Sequence, residues 1–387
     1  MHYIRFCRPP EVQTSKSRAS IKLVLTITTD LSDSSLAPRN PVQLAVIGAY
    51  TVNQDGKDQL VPVSLTQSNS PPTWRAGMRV LKLDLPLPSL PIETIQVRPL
   101  SRQLTALSTT DVLPGAQGLI MAVFADMPQP RSTVPPSVCF RSLRLSANEM
   151  AAAQTLQIEE DLGESIARHI WDSGIVMVSL FADLCLESTA RDGGKPLRLF
   201  RGILERPDRP LNILELGCGV GVVGIGMARI MSLRPSGQAP HVLMTDLLEA
   251  EGKARANIAR QAASFGEGPL NLDFEPLDWH DGEKGTFGEK AASRAWDLVV
   301  LCDCTYNTDT LPPLVKTLSA LHSHAARHAS AVKTEVLVAT KPRHSSERVF
   351  FDLMSADGWV TREQTVLPLP LLDGECQRVE VYLFGKP

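Results

Sequence analysis

The stretch 213–225, ILELGCGVGVVGI, constrains the fold of this chain more than any other. A short apolar run ends in glycines at 217, 219 and 221 and passes, without a proline, into a second apolar run. Such a run bounded by glycine reads as a buried strand, and the segment behind it as a helix. Glycines at a turn of this kind let the backbone come close to a bound ligand. Downstream, strands are expected at 241–245, 270–277, 296–301 and 335–339. Helices are expected at 249–262, 311–327 and 346–356, the last stopped by Gly358, and 281–295 reads as a polar loop. Two closing strands, near 360–367 and 379–384, have no long helix between them. The alternation predicts an α/β fold with a Rossmann-like, seven-stranded, mostly parallel sheet and an antiparallel end.

The first part of the chain follows other rules. With 387 residues, length alone suggests two domains. Residues 1–150 carry 15 Lys/Arg against 10 Asp/Glu and 16 of the 29 prolines, whereas the remainder carries 24 against 32. IKLVLTIT (21–28) and MRVLKLDL (78–85) alternate as half-buried strands do. Further strands are expected at 42–50, 118–125 and 138–145. LPLPSLP can neither continue a helix nor sit in a central strand. A β-rich accessory domain over 1–147, a small sandwich with long mobile loops at 30–41, 66–77 and 127–137, is therefore expected ahead of an α/β domain over 148–387. Residues 148–161 are free of proline and read as a linker helix. A helical pattern runs from 164 through Trp171, and 187–210 reads as a loop or insertion.

A net charge of −3 argues against a generic polyanion binder, and the basic excess of residues 1–150 is diffuse. The start, MHYIRFCRPP, has no apolar core of a signal peptide, and no run of about 20 apolar residues occurs. Seven scattered cysteines read as reduced thiols, so the cytoplasm, with the nucleus as a second site, is the expected compartment. No metal is expected. Cys302 and Cys304 lack a second pair at zinc spacing, and His324 and His328, one helical turn apart, lack a third ligand.

Two ligands compete for the glycine turn. Gly219, Gly221 and Gly224 fit the dinucleotide pattern GxGxxG. Glu215 at the strand tip argues otherwise, because a carboxylate repels a pyrophosphate. It suits S-adenosylmethionine, which has an ammonium and a cationic sulfur and no phosphate. Asp246, ending the second strand, can accept hydrogen bonds from a ribose or merely cap the next helix. Trp279 can cover an adenine or sit in the core, and Trp171 can close the other side. Cys218 reads as a small packing residue inside the turn.

These segments resemble the seven-strand S-adenosylmethionine-dependent methyltransferases, and within them the family-16 protein lysine methyltransferases. The resemblance rests on Trp171-Asp172-Ser173-Gly174, ILELGCGVGVVGI, TDL (245–247), LDW (277–279), DLVVLCDCTYN (297–307) and KPRHSSERVFFDLMSADGW (341–359), and covers about 160–387. It implies that Asp303 and Tyr306, the DxxY pair, line the methyl-transfer site. It also implies that Trp171, the Gly217–Cys218–Gly219 turn, Asp246, Trp279 and Cys302 contact the cofactor; Glu215 and Gly221 complete that set. The chain departs from the family in Cys302, where many members have alanine, and in Ser173-Gly174, where two alanines are usual. The implied activity is methylation of a lysine in a protein substrate, of the chaperone or translation-factor kind. The N/D-PPY/F signature of base-amino methylation is absent. The alternatives are an RNA or small-molecule methyltransferase and a non-catalytic adaptor.

Overall fold

The structure is a computed structural model and describes residues 1–15, 18–54, 57–67, 69–113, 118–127, 137–145, 154–162, 168–186, 197–206, 209–234, 238–263, 271–328 and 333–387. The alternation downstream of 211 becomes one seven-stranded sheet. Its spatial order is Leu272–Pro276, His241–Asp246, Asn212–Leu216, Leu298–Cys302, Glu335–Thr340, Cys376–Gly385, Val360–Pro370. The first five run parallel; Cys376–Gly385 runs antiparallel to both its neighbours, so the edge strand Val360–Pro370 points the same way as the first five. Chain order reverses between Asn212–Leu216 and Leu298–Cys302, and a cleft opens at the carboxyl ends of strands at such a reversal. Helices Asp172–Leu186, Val222–Ser232 and Glu251–Ala263 lie on one face, and Leu311–His328 and Val349–Ala356 on the other. This is the expected Rossmann-like, mostly parallel sheet with an antiparallel end. In the stretch expected to be polar loop, Glu289–Ala292 forms a short helix.

The amino-terminal strands form two sheets. His2–Phe6, Arg18–Thr28 and Leu81–Pro86 lie in one, and Val42–Gln54, Thr94–Pro99 and Val138–Arg144 in the other. Their inner faces share a core that includes Ile4, Leu23, Leu25, Val46, Val97 and Val123. Alternation sets that face: in Arg18–Thr28 every second residue from Ile21 to Ile27 is buried. The run expected as one strand at 118–125 divides, with Ile120–Met121 in the first sheet and Val123–Asp126 in the second.

Several local expectations change. Residues 155–161, read as linker helix, form a strand paired along its whole length with Val138–Arg144. TLQIEED buries Leu156, Ile158 and Glu160 at period 2, and one of those positions is charged, which hid the pattern. Residues 148–153 and 163–167 lie outside those described, as do 187–196 of the expected insertion. Within the remainder of that insertion Arg198–Leu204 is helical, its Phe200 buried edge-on against Phe181. Trp171 precedes its helix, and its carbonyl accepts the amide of Gly174 at 3.1 Å. The connection 30–41, expected to be mobile, starts with a buried Asp30, and 66–77 holds Trp74, fully buried with Nε1 donating to the Leu36 carbonyl at 2.8 Å. Residues 128–136 of the third loop are outside those described.

The two parts are fastened together. Strand Thr155–Asp161 is the edge of its sheet, and helix Glu251–Ala263 lies along it. Asn257 accepts from the Glu159 amide at 2.7 Å and donates to the Glu159 carbonyl at 3.1 Å. One turn on, Gln261 accepts from the Gln157 amide at 3.2 Å and donates to the Thr155 carbonyl at 3.1 Å. Side-chain amides thus serve as the missing neighbouring strand and leave no bare edge there. One apolar cluster also runs from Tyr3, Met121 and Ile158 to Phe181 and Val223.

Candidate functional site

A cleft of about 620 Å³ opens at the reversal point. Of the residues expected to hold a cofactor or the transfer site, Trp171, Glu215, Gly217, Cys218, Gly219, Asp246, Trp279, Cys302, Asp303 and Tyr306 all line it. Gly221 does not. It caps helix Val222–Ser232 with φ +83°, and a Cβ there would stand 2.9 Å from Met244 Sδ, so its glycine serves the helix entry. Gly217 does serve the cleft. Its φ is +69°, and an added Cβ would meet Cys304 Sγ at 2.6 Å and Trp279 Cζ2 at 3.4 Å.

Glu215 is 2% exposed. Its Oε2 accepts from the Gly224 amide at 2.9 Å. Burial pushes its carboxyl up to about 8, and Asp246 nearby adds to the rise. Asp246 is also raised, chiefly by burial, against two backbone bonds. Its Oδ2 accepts from the Gly219 amide and its Oδ1 from the Leu247 amide, each at 2.7 Å. Asp246 therefore braces the glycine turn, and each oxygen keeps a second lone pair.

Among the described residues that line the cleft none is Lys or Arg, while Glu215, Asp246, Glu249, Asp278 and Asp303 are acidic. A pyrophosphate would meet carboxylates and no cation. A ligand with a sulfonium and an ammonium would relieve the Glu215 carboxylate, and Trp171, Val223, Leu277 and Trp279 supply apolar walls for a flat ring. The residues fit S-adenosylmethionine and do not fit a dinucleotide.

The DxxY loop separates two roles. Asp303 is 8% exposed, with φ +53°. Its Oδ1 accepts from Ser173 Oγ at 2.7 Å and from the Lys341 amide at 2.9 Å, and its Oδ2 from Arg343 Nη2 at 3.1 Å. Three donors converge on this carboxylate and hold the turn in a left-handed conformation that Asp tolerates. Ser173, where an alanine was usual, supplies one of them. Tyr306 is 57% exposed at the cleft mouth, and the exposed Leu247 lines the same cleft. Burial pushes the thiols of Cys218, Cys302 and Cys304 up, so they stay protonated and packed. His324 and His328 contact the carbonyls of Ala292 and His324.

Sequence reasoning missed the charged group behind the loop. Asp172 is fully buried and accepts from Tyr3 at 2.7 Å, Lys341 Nζ at 2.7 Å and the Met1 amine at 3.0 Å. Burial opposes its ionisation, but the amine and Lys341 outweigh it and hold the carboxyl at about 2. Lys341 and Arg343 stood in the quoted KPRHSSER segment without a role. No local pattern marks a partner that comes from residue 30.

Residues 150–357 match the family described as lysine methyltransferase. Over 361 residues the chain is 24% identical to a UPF0665 family protein of Schizosaccharomyces pombe, covering 93% of this chain and 94% of that one. Among solved structures it is similar to a SAM-dependent methyltransferase of Agrobacterium tumefaciens (12% identity, 69% of this chain and 74% of that one, TM-score 0.39). It is also similar to a 1,6-didemethyltoxoflavin-N1-methyltransferase of Burkholderia thailandensis solved with S-adenosylhomocysteine (14% identity, 46% and 72%, TM-score 0.31).

Proposed function

The chain belongs to the lysine methyltransferase family, and from that premise we propose that it methylates the side-chain amine of a lysine in a protein substrate. It is an S-adenosylmethionine-dependent methyltransferase. The observation that carries the choice of acceptor is the cleft mouth. Tyr306 stands exposed there, and the lining is acidic and free of Lys and Arg among the described residues. That suits an amine on a long aliphatic stem better than a phosphate-bearing nucleic acid.

Bound S-adenosylmethionine supplies an electrophilic methyl group on a cationic sulfur. Glu215 would hold its ammonium end, Asp246 its ribose, and Trp171 and Trp279 its ring. The work left to the chain is placement, since orientation alone can supply about 7–11 kcal/mol of a barrier. A lysine ammonium, with a pKa near 10.4, must lose its proton before it can attack. Apolar and aromatic surroundings favour the neutral amine, and Tyr306 offers one such wall. Asp303 could hold the lysine or fix the loop, and the three donors on its carboxylate support the second role.

Incubation of the enzyme with tritiated S-adenosylmethionine and a lysate of cells that lack it tests the reading. Label is expected on lysine in protein digested and mapped by mass spectrometry. Label confined to RNA or to small molecules would overturn it.

A further inference from the structure

We propose that Asp30, contributed by the amino-terminal β-layers, is a positioning residue for methyl transfer and acts through Arg343 on Asp303 and Trp171. The inference rests on reading the cleft as the transfer site. Asp30 follows the strand Arg18–Thr28 and is 3% exposed. Its Oδ2 accepts from Arg343 Nη2 at 2.8 Å and its Oδ1 from Lys341 Nζ at 2.8 Å. The same Arg343 nitrogen reaches Asp303 Oδ2 at 3.1 Å. The guanidinium carbon lies 5.3 Å from the centre of the Trp171 ring, within range of a cation–π contact. One guanidinium therefore touches the turn of the DxxY loop and an aromatic wall of the cleft, and its shortest ion pair goes to a carboxylate 313 residues away in the chain.

The charge arithmetic explains why Asp30 is needed. Asp30, Asp172 and Asp303 face Lys341, Arg343 and the Met1 amine. Three carboxylates balance three cations in a region where the carboxylates and Lys341 are almost fully buried. Removal of Asp30 leaves one cation in excess, and a buried charge without its partner moves or draws in water. Arg343, whose side chain is 17% exposed, is the member with room to move. If it swings outward, Asp303 loses one of its three donors and Trp171 loses the cation over its ring. If it collapses onto Asp303, the left-handed turn shifts. In either case the cleft is altered by a change made in the β-layers.

The test uses the full chain with Asp30→Asn, Arg343→Gln and the double variant. Each is checked by thermal melting, by calorimetric titration with S-adenosylhomocysteine, and by initial rates of tritiated methyl transfer into lysate protein. Asp30→Asn is expected to slow transfer at saturating cofactor at least tenfold and to weaken S-adenosylhomocysteine several-fold. The double variant is expected to be no worse than Arg343→Gln alone. Asp30→Glu should recover part of both losses. Asp30→Asn within twofold of wild type in both readouts, or losses that multiply in the double variant, would overturn the inference. A merely structural ion pair lowers the melting temperature and leaves rate and affinity uncoupled. Should Asp30→Asn fail to fold, the same cycle is run with Asp30→Ser, and wild-type rate and affinity there count against the inference. A wild-type enzyme that transfers nothing to protein would instead refute the proposed function. Coupling of Asp30 and Arg343 in S-adenosylhomocysteine affinity would then still decide the positioning role.

Discussion

The Glu215 carboxyl ties cofactor binding to a proton. It is buried, accepts one backbone bond, and is pushed up to about 8. At pH 7, one unit below that value, about nine molecules in ten carry the proton. A sulfonium or ammonium placed beside the group favours the carboxylate and brings its pKa down. If the bound value falls to about 5 or lower, each binding event at pH 7 releases about 0.9 proton from this residue. Calorimetric titration of S-adenosylmethionine in buffers of different ionisation enthalpy reads that number as a slope. The ligand's own amine also contributes, so the quantity of interest is the difference between wild type and Glu215→Gln, expected to be about 0.9. Affinity should rise close to tenfold per pH unit between about 6 and 7 and level off above about 8. The sign for the ligand-free protein is the reverse. The folded pKa lies above the ordinary glutamate value of 4.5, so the native state holds the extra proton between 4.5 and about 8. Stability is therefore full below that window and declines as pH rises through it, by up to about 1.4 kcal/mol per unit from this group. Equal buffer slopes for wild type and Glu215→Gln would refute the placement of a cation at this carboxylate.

Other expectations follow from the same geometry. Asp246→Ala should weaken cofactor binding by about 1–3 kcal/mol, the usual loss for charge-assisted hydrogen bonds, and unchanged affinity by calorimetry would remove the ribose role. Tyr306→Ala should change stability by no more than about 0.5 kcal/mol, because the side chain is exposed, yet cut transfer sharply. A melting temperature that falls with the activity would show that the ring is structural. A chain of residues 148–387 would lack the partner strand Val138–Arg144 and the whole Asp30 contact. It should neither give a cooperative melt nor bind S-adenosylhomocysteine, and tight binding by that fragment would contradict the fastening described above.

The sheet was legible because its signals are local. Leu298–Cys302 and Glu335–Thr340 are apolar runs with one reading, and the glycines of 217–221 punctuate a strand and a helix. Part of the cleft lining was legible for the same reason, since Glu215, Gly217 and Asp246 sit at strand ends, where topology gathers residues, whereas Asp303 and Tyr306 came from the family resemblance. Less local features were not. Glu160 is a buried charge that interrupts an alternating strand, and its partner Arg141 comes from the neighbouring strand. Asp303 reads as a reactive carboxylate until Ser173, Lys341 and Arg343 are seen to hold it with three donors. Asp30 stands among the polar residues that open a loop, and only the fold carries it to Arg343. A pairwise electrostatic contact across 313 residues leaves no periodicity to read.

The amide seam between Asn257, Gln261 and strand Thr155–Asp161 also sets a metric. Apolar faces can slide by a fraction of a residue at little cost, whereas a side-chain amide bonded to both an N–H and a C=O of the strand has a single setting. The outer surface of the β-layers is thus held at one span and one angle from the mouth of the cleft. A protein seated on that surface would offer the cleft whichever lysine stands at that distance. Such selection would work as a ruler, set by distance more than by the residues around the lysine.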